Sequence, residues 1–180
     1  MKITFGDYCI RSYQISDLET LVKYANNIKV SQLLRDQFPF PYTRFDAEAW
    51  LMEAFNQHAE TNFAIANKQE LIGAIGINLQ DDVNRFSAEI GYWLGEPFWG
   101  KGIVTNAVKI FTNYTFENFD LNRIFANVFE GNIASERVLM KVGYKKEAIL
   151  KKAVYKEGKF LDQYIYAILK NEFIYSYGQN

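Results

Sequence analysis

The sequence predicts an α/β fold, α+β in arrangement: a single mixed, mostly antiparallel sheet with flanking helices. Three observations predict it. Short apolar runs separated by turn residues follow one another between residues 62 and 94, the pattern of a strand meander. Stretches with apolar residues at helical spacing stand before and after those runs. Finally, 180 residues with 49% apolar and 17% aromatic content can build one sizeable core and are not expected to be disordered. The expected organisation is one domain over residues 1–180, without internal repeat, low-complexity segment or linker.

The elements follow in order. Residues 9–13 alternate weakly and read as a first strand. Ser16-Asp17-Leu18-Glu19 has the form of a capping box, a hydroxyl with a Glu three residues on. Leu18, Leu21, Val22 and Ala25 then mark a helix face. Pro39 and Pro41 keep residues 38–42 out of regular helix. A second helix is expected from about Thr43, burying Ala47, Trp50, Leu51, Ala54 and Phe55. Residues 62–66, 71–79 and 86–94 read as strands joined by turns at 67–70 and 81–84. Gly95-Glu96-Pro97 turns the chain into Phe98-Trp99-Gly100-Lys101-Gly102. A helix face follows at Val104, Val108, Phe111 and Thr115. Residues 123–129 read as a strand and 132–142 as a helix with Ala134, Val138 and Leu139 apolar. Gly143 suits the position just past that helix. Residues 144–155 and 160–169 read as a closing hairpin around Lys156-Glu157-Gly158-Lys159.

Composition narrows the function. Net charge is −1 with no long basic block, which argues against electrostatically driven nucleic-acid binding. Cys9 is the only cysteine, so no intrachain disulfide forms and a reducing compartment fits. No apolar run approaches the ~20 residues of a membrane span, and the first residues show no signal-peptide pattern. A soluble cytoplasmic protein is expected, with neither nucleic acid nor membrane as partner. One His and one Cys do not make a zinc site of the usual kind, so no metal is expected. A Ser-His-Asp triad would have to use His58, and no G-x-S-x-G elbow exists. His58 reads as a surface or helix-packing residue, and Cys9 as a small buried hydrophobe.

Strand, glycine-rich turn and helix in that order can form an anion site. Backbone N–H groups of the first helical turn lack partners there, and the helix dipole adds partial positive charge. The turn around Gly100-Lys101-Gly102 is neither a Walker loop nor a dinucleotide fingerprint, since Thr105 stands where a third glycine belongs. An ordinary tight turn is the other reading. An anion loop with carboxylates, hydroxyls and many aromatics suits acyl transfer from a phosphate-bearing carrier. A thioester is already activated, so the protein must align an amine, hold the carbonyl oxygen, remove a proton and stabilise the departing thiolate.

Three segments together resemble the GNAT acetyltransferases, and within them the ribosomal-protein N-acetyltransferase group of the RimJ/RimL type. They are Ala88-Glu89-Ile90-Gly91-Tyr92-Trp93-Leu94; Phe98-Trp99-Gly100-Lys101-Gly102-Ile103-Val104; and Asn132-Ile133-Ala134-Ser135 with Val138-Leu139-Met140-Lys141-Val142-Gly143-Tyr144. The resemblance covers about residues 8–169. It implies strands splayed after Leu94, with the pantetheine arm of acetyl-CoA between them. It implies that backbone groups of Trp93 and Leu94 meet that arm. Trp99, Gly100, Lys101, Gly102, Ile103 and Val104 would hold pyrophosphate, Thr105 could add a hydroxyl, and Asn132 would touch the carrier from the other side. Glu89 is placed like the residue that receives the amine's proton, and Ser135 to meet the thiolate. The sequence departs from the pattern twice: Val104 replaces Gly or Ala, and Leu139 stands where many relatives outside this group carry a tyrosine proton donor. Water is the alternative donor.

Each of these residues has a plainer reading. Glu89 can be a strand residue on a solvated face, Ser135 a helix-start hydroxyl, and Asn132 a cap. Phe38, Phe40 and Tyr42 are core aromatics or the lid of an acceptor site, and Tyr92 is a further candidate acceptor contact. Asp162 and Tyr164 can touch acceptor or serve structure alone. The expected function is acetyl-CoA-dependent N-acetyltransfer to a primary amine by direct transfer in a ternary complex. A protein N-terminal α-amine is the leading acceptor. A polyamine, antibiotic or amino-acid analogue is the alternative, and a non-catalytic acyl-CoA-binding module is the rival from another class. A monomer or homodimer is expected.

Overall fold

The computed structural model describes residues 1–173. Eight strands form one sheet in the order β1-β2-β3-β4-β5-β6-β8-β7. The described residues divide into two compact units, residues 1–76 with 91–107, and residues 77–90 with 108–173.

The first unit begins with β1 (Lys2–Phe5) and β2 (Tyr8–Arg11), an antiparallel pair. Next come α1 (Leu18–Ala25), the single-turn α2 (Ile28–Ser31), α3 (Arg44–Phe55) and β3 (Asn62–Ala66). β3 pairs antiparallel with β2 and with β4 (Leu71–Leu79), whose first six residues belong to this unit. The alternation at residues 9–13 thus marks β2, while β1 had no expectation attached. Ser16 does not cap α1. Instead the Asp17 carboxylate accepts the Gln14 backbone N–H at 2.8 Å and a two-pronged bond from Arg11 at 2.6 and 2.7 Å. A bidentate guanidinium fits a carboxylate better than a lone hydroxyl fits an N–H, so Asp17, 3% exposed, pins β2 to the helix start.

Thr43 caps α3 as its sequence suggests, its side chain accepting from the Asp46 N–H. Leu21 and Ala25 of α1 pack with Ala47 and Leu51 of α3 over Ala64, Leu71 and Ala74 of the sheet. Trp50 and Ala54 pack against this cluster. Phe55 is 49% exposed, contrary to expectation. It is the last residue of α3, and the buried residues of that helix are Ala47 and Leu51, earlier along it.

The second unit holds the end of β4, the start of β5 (Ser87–Leu94) and most of α4 (Ile103–Asn118). It continues with β6 (Arg123–Phe129), α5 (Ile133–Val142), β7 (Lys145–Lys156) and β8 (Lys159–Leu169). β5 and β6 run parallel, and their pairs are Ser87 with Arg123, Ala88 with Ile124 and Glu89 with Phe125. β6 pairs antiparallel with β8 along its whole length, and β8 with β7. Ile124, Ala126 and Val128 are buried, while Phe125, Asn127 and Phe129 between them are half-buried. A period of two puts these sets on opposite faces. Gly143 ends α5 with φ 107°, a conformation that costs glycine no Cβ clash. Beside it the buried Tyr144 hydroxyl meets Thr112 Oγ1 at 2.8 Å.

Candidate active site

The two units each carry one group of the residues singled out in the sequence. In the first unit the chain leaves β5 through a braced corner. Gly95 N–H donates to the Ile72 carbonyl at 2.8 Å, and a Cβ on Gly95 would meet the Tyr24 ring at 2.9 Å. Glycine is therefore required there by close approach. Glu96 accepts from Asn27 Nδ2 at 2.8 Å and from Lys29 Nζ at 2.5 Å. The Lys29 bond, then that from Asn27, holds its carboxyl below the ordinary range. The Phe98 ring lies edge-on to Tyr24 at 5.2 Å. The Trp99 indole N–H donates to the Leu94 carbonyl at 2.7 Å, and Lys101 Nζ donates to the Pro97 carbonyl at 3.0 Å. The turn is thus tied back onto itself at both ends.

Between those ties, Gly100 and Gly102 both have φ 74°. A Cβ at either position would meet nothing within 4 Å. These glycines answer to conformation, not crowding, and they leave bare backbone against open space. The Asn106 N–H reaches back to the Gly102 carbonyl at 3.2 Å, so the N–H groups of Ile103, Val104 and Thr105 precede the helical ladder. This first turn belongs to a sixteen-residue helix. Its dipole and N–H groups suit an anion such as the pyrophosphate of a carrier. The Ile103 side chain, 2% exposed, belongs to the core, which leaves only its backbone to the site.

Trp93, half-buried, faces the Phe38 ring at 5.6 Å and 65°. Phe38 in turn lies 5.0 Å from the Tyr42 ring. The segment read as a possible lid is therefore beside the end of β5, but its residues differ in kind. Phe40 is 51% exposed, whereas Tyr42 is 5% exposed and part of the core cluster. Burial pushes the Tyr42 hydroxyl up, so it stays neutral. Tyr42 thus packs in the core, the first of the two readings the sequence allowed it. Tyr92 is half-buried on β5.

In the second unit Glu89 projects from β5 and accepts from Asn127 Nδ2 at 2.9 Å. The Asn127 carbonyl oxygen accepts from Gln163 Nε2 at 2.9 Å. Neither Asn127 nor Gln163 was singled out in the sequence. The available signal was one amide in the otherwise apolar run Ile124-Phe125-Ala126-Asn127-Val128-Phe129. Asn132 caps α5, its Oδ1 accepting from the Ser135 N–H at 3.1 Å. Ser135 is half-buried one turn before Leu139, which is fully buried. Asp162 is 6% exposed, and its carboxylate accepts from Lys151 Nζ at 2.8 Å and the Lys152 N–H at 3.0 Å. Its own N–H donates to Glu130 at 3.0 Å. The bonds from Lys151 and Lys152 join β7 to β8 and give Asp162 a structural part. Among the described residues, no group of three or more His, Cys, Asp or Glu side chains could hold a metal ion. No described helix is long and apolar enough to cross a membrane.

Comparison with known proteins follows the same lines. Residues 8–145 match the acetyltransferase (GNAT) domain family. The chain is 30% identical over 170 residues to the uncharacterized N-acetyltransferase p20 of Bacillus licheniformis, covering 91% of this chain and 93% of that protein. It is 38% identical over 102 residues to the putative ribosomal N-acetyltransferase YdaF of Bacillus subtilis, covering 57% of this chain and 55% of that one. Among solved structures, a RimL ribosomal L7/L12 alpha-N-protein acetyltransferase in complex with coenzyme A superposes with TM-score 0.83. That match covers 94% of this chain and 98% of that one at 22% identity, a likeness of fold.

Proposed function

The chain belongs to the GNAT acetyltransferase family and is an N-acetyltransferase, and from that premise we propose that it moves acetyl from acetyl-CoA to a primary amine by direct transfer. The observation that carries this reading is the braced glycine turn, bare backbone at φ 74° opening a long helix. It fits the pyrophosphate of a CoA carrier by backbone N–H donation, from residues 99–105. Trp93 and Leu94 backbone groups extend the carrier site. Leu94's carbonyl already accepts the Trp99 indole, and its second lone pair can serve the arm.

Glu89 receives the acceptor's proton, directly or through water, and the Ser135 hydroxyl meets the leaving sulfur, with water as the alternative donor. Asn132 caps α5 and can still face the carrier. The half-buried Phe38 and exposed Phe40 offer aromatic area to the acceptor. In this reading residues 1–180 work as one domain, in the cytoplasm, as a monomer or homodimer.

An N-terminal α-amine is the leading acceptor. Such amines have values near ~7.7–8.0, about two units below lysine, so a modest base suffices. The test follows thiol release from acetyl-CoA. Short peptides with free and with blocked N-termini, spermidine and an aminoglycoside serve as competing acceptors, and the products are read by mass. Labelling of the free N-terminus is expected. Labelling of blocked peptides at lysine, or of small amines alone, overturns the α-amine assignment, and no thiol with any amine overturns the activity.

A further inference from the structure

Glu89, Asn127 and Gln163 come from three neighbouring strands. The register explains how they meet. Glu89 pairs with Phe125, and Asn127 lies two residues further along the same face of β6. Asn127 pairs with Ile165, and Gln163 lies two residues away on the same face of β8. Both contacts are thus diagonal neighbours, within reach of long side chains. Their direction is fixed by chemistry. An ionised carboxylate only accepts, so Asn127 must turn its NH₂ group towards Glu89. Its carbonyl oxygen then faces Gln163, which must present its own NH₂ group. The bonds measure 2.9 Å each, and all three residues are half-buried.

We propose that Asn127 and Gln163 are positioning residues that hold the Glu89 carboxylate in one orientation for proton removal. This rests on the reading of Glu89 as proton acceptor. A glutamate has three rotatable bonds, and an unheld carboxylate samples many orientations. A donor on one oxygen restricts that sampling and leaves the other oxygen aimed in one direction. Gln163 acts one step further out, by preventing the Asn127 amide from turning its oxygen to the carboxylate. The same face of β6 and β8 carries half-buried Phe125, Phe129 and Ile165, so the row runs through a sheet surface that stays accessible.

The test uses the full chain, acetyl-CoA and the pooled amines above, with thiol release and thermal melting measured for each variant. Asn127→Ala is expected to lower kcat about tenfold with the KM for acetyl-CoA unchanged, the loss of one charge-assisted bond. In the Glu89→Gln background the same substitution is expected to cause no further loss. Gln163→Leu is expected to lower kcat about threefold alone, and not at all beside Asn127→Ala. The double exchange Glu89→Gln with Asn127→Asp rebuilds an amide–carboxylate bond with its sense reversed. It is expected to restore the melting temperature while turnover stays at the Glu89→Gln level. Turnover restored along with the melting temperature would show that no carboxylate is needed at position 89, which overturns the parent assignment. An Asn127→Ala loss of equal size in both backgrounds, or no loss at all, overturns the proposal. Full turnover in Glu89→Gln instead overturns the parent assignment of Glu89, with CoA binding unaffected.

Discussion

The glycine turn of the first unit and the polar row of the second are built from different materials. The turn is backbone: two glycines at φ 74°, a helix start, and side chains such as Trp99 and Glu96 that only brace it. The row is side chain: one carboxylate and two amides, each from a different strand. A backbone site depends on conformation, so it tolerates varied side chains but not a lost glycine. A side-chain site depends on three rotamers, so it tolerates little at its own positions and says nothing about φ. Binding and chemistry should therefore fail separately when each region is altered.

The largest effect expected from the row is Glu89→Gln. Turnover should fall about 100-fold at neutral pH, the lower range for general base catalysis, while CoA affinity stays intact. Partial recovery at high pH is expected, because the amine then arrives deprotonated. Ser135→Ala should cost roughly severalfold with less pH dependence, since a serine hydroxyl is a poor acid and water can serve. Steady-state kinetics across pH check both, and unchanged turnover in both variants would move the chemistry to water or other residues.

A smaller effect sharpens the other side. Trp99→Phe keeps the ring but removes the indole bond to Leu94, and should destabilise by about 1 kcal/mol in denaturant melts. CoA affinity should weaken slightly while kcat is kept. The smallest expected effect lies outside both regions. The Lys151 hydrogen bond, then the Lys152 N–H, hold the Asp162 carboxyl below its ordinary value. Its stabilising contribution is therefore complete above the unfolded value of ~3.9 and disappears as pH falls through the lower folded value. Thermal melts below pH ~4 should drop more steeply for the native chain than for Asp162→Asn, and parallel curves would remove the hairpin role.

How much was legible in the sequence follows the same division. β3, β4 and β6 lie where their apolar runs end, because flanking turn residues bound them. The glycine turn was visible because its signal is local. β1 was not, since its four residues are too few for a periodic signal and are ordered by tertiary pairing with β2. Nor was α2, a single turn capped by Asn27. The Ser16 cap lost to Arg11 and Asp17, a pair closed by tertiary contact. The burial of Tyr42 and the ion pair of Asp162 were hidden too, because both depend on tertiary contacts. Asn127 and Gln163 were hidden because the register that brings them to Glu89 is set by three strands at once.

Calorimetric titration of CoA into folded Gly102→Asp, beside the native chain and Glu89→Gln, tests the central claim most directly. An aspartate at φ 74° is strained, and its charge would face the phosphate across space that is otherwise open. The account predicts that Gly102→Asp loses CoA affinity by about 100-fold or more, the scale of a repelled charge in a partly dry site, while Glu89→Gln binds CoA as the native chain does. Unchanged affinity in a folded Gly102→Asp variant would contradict it.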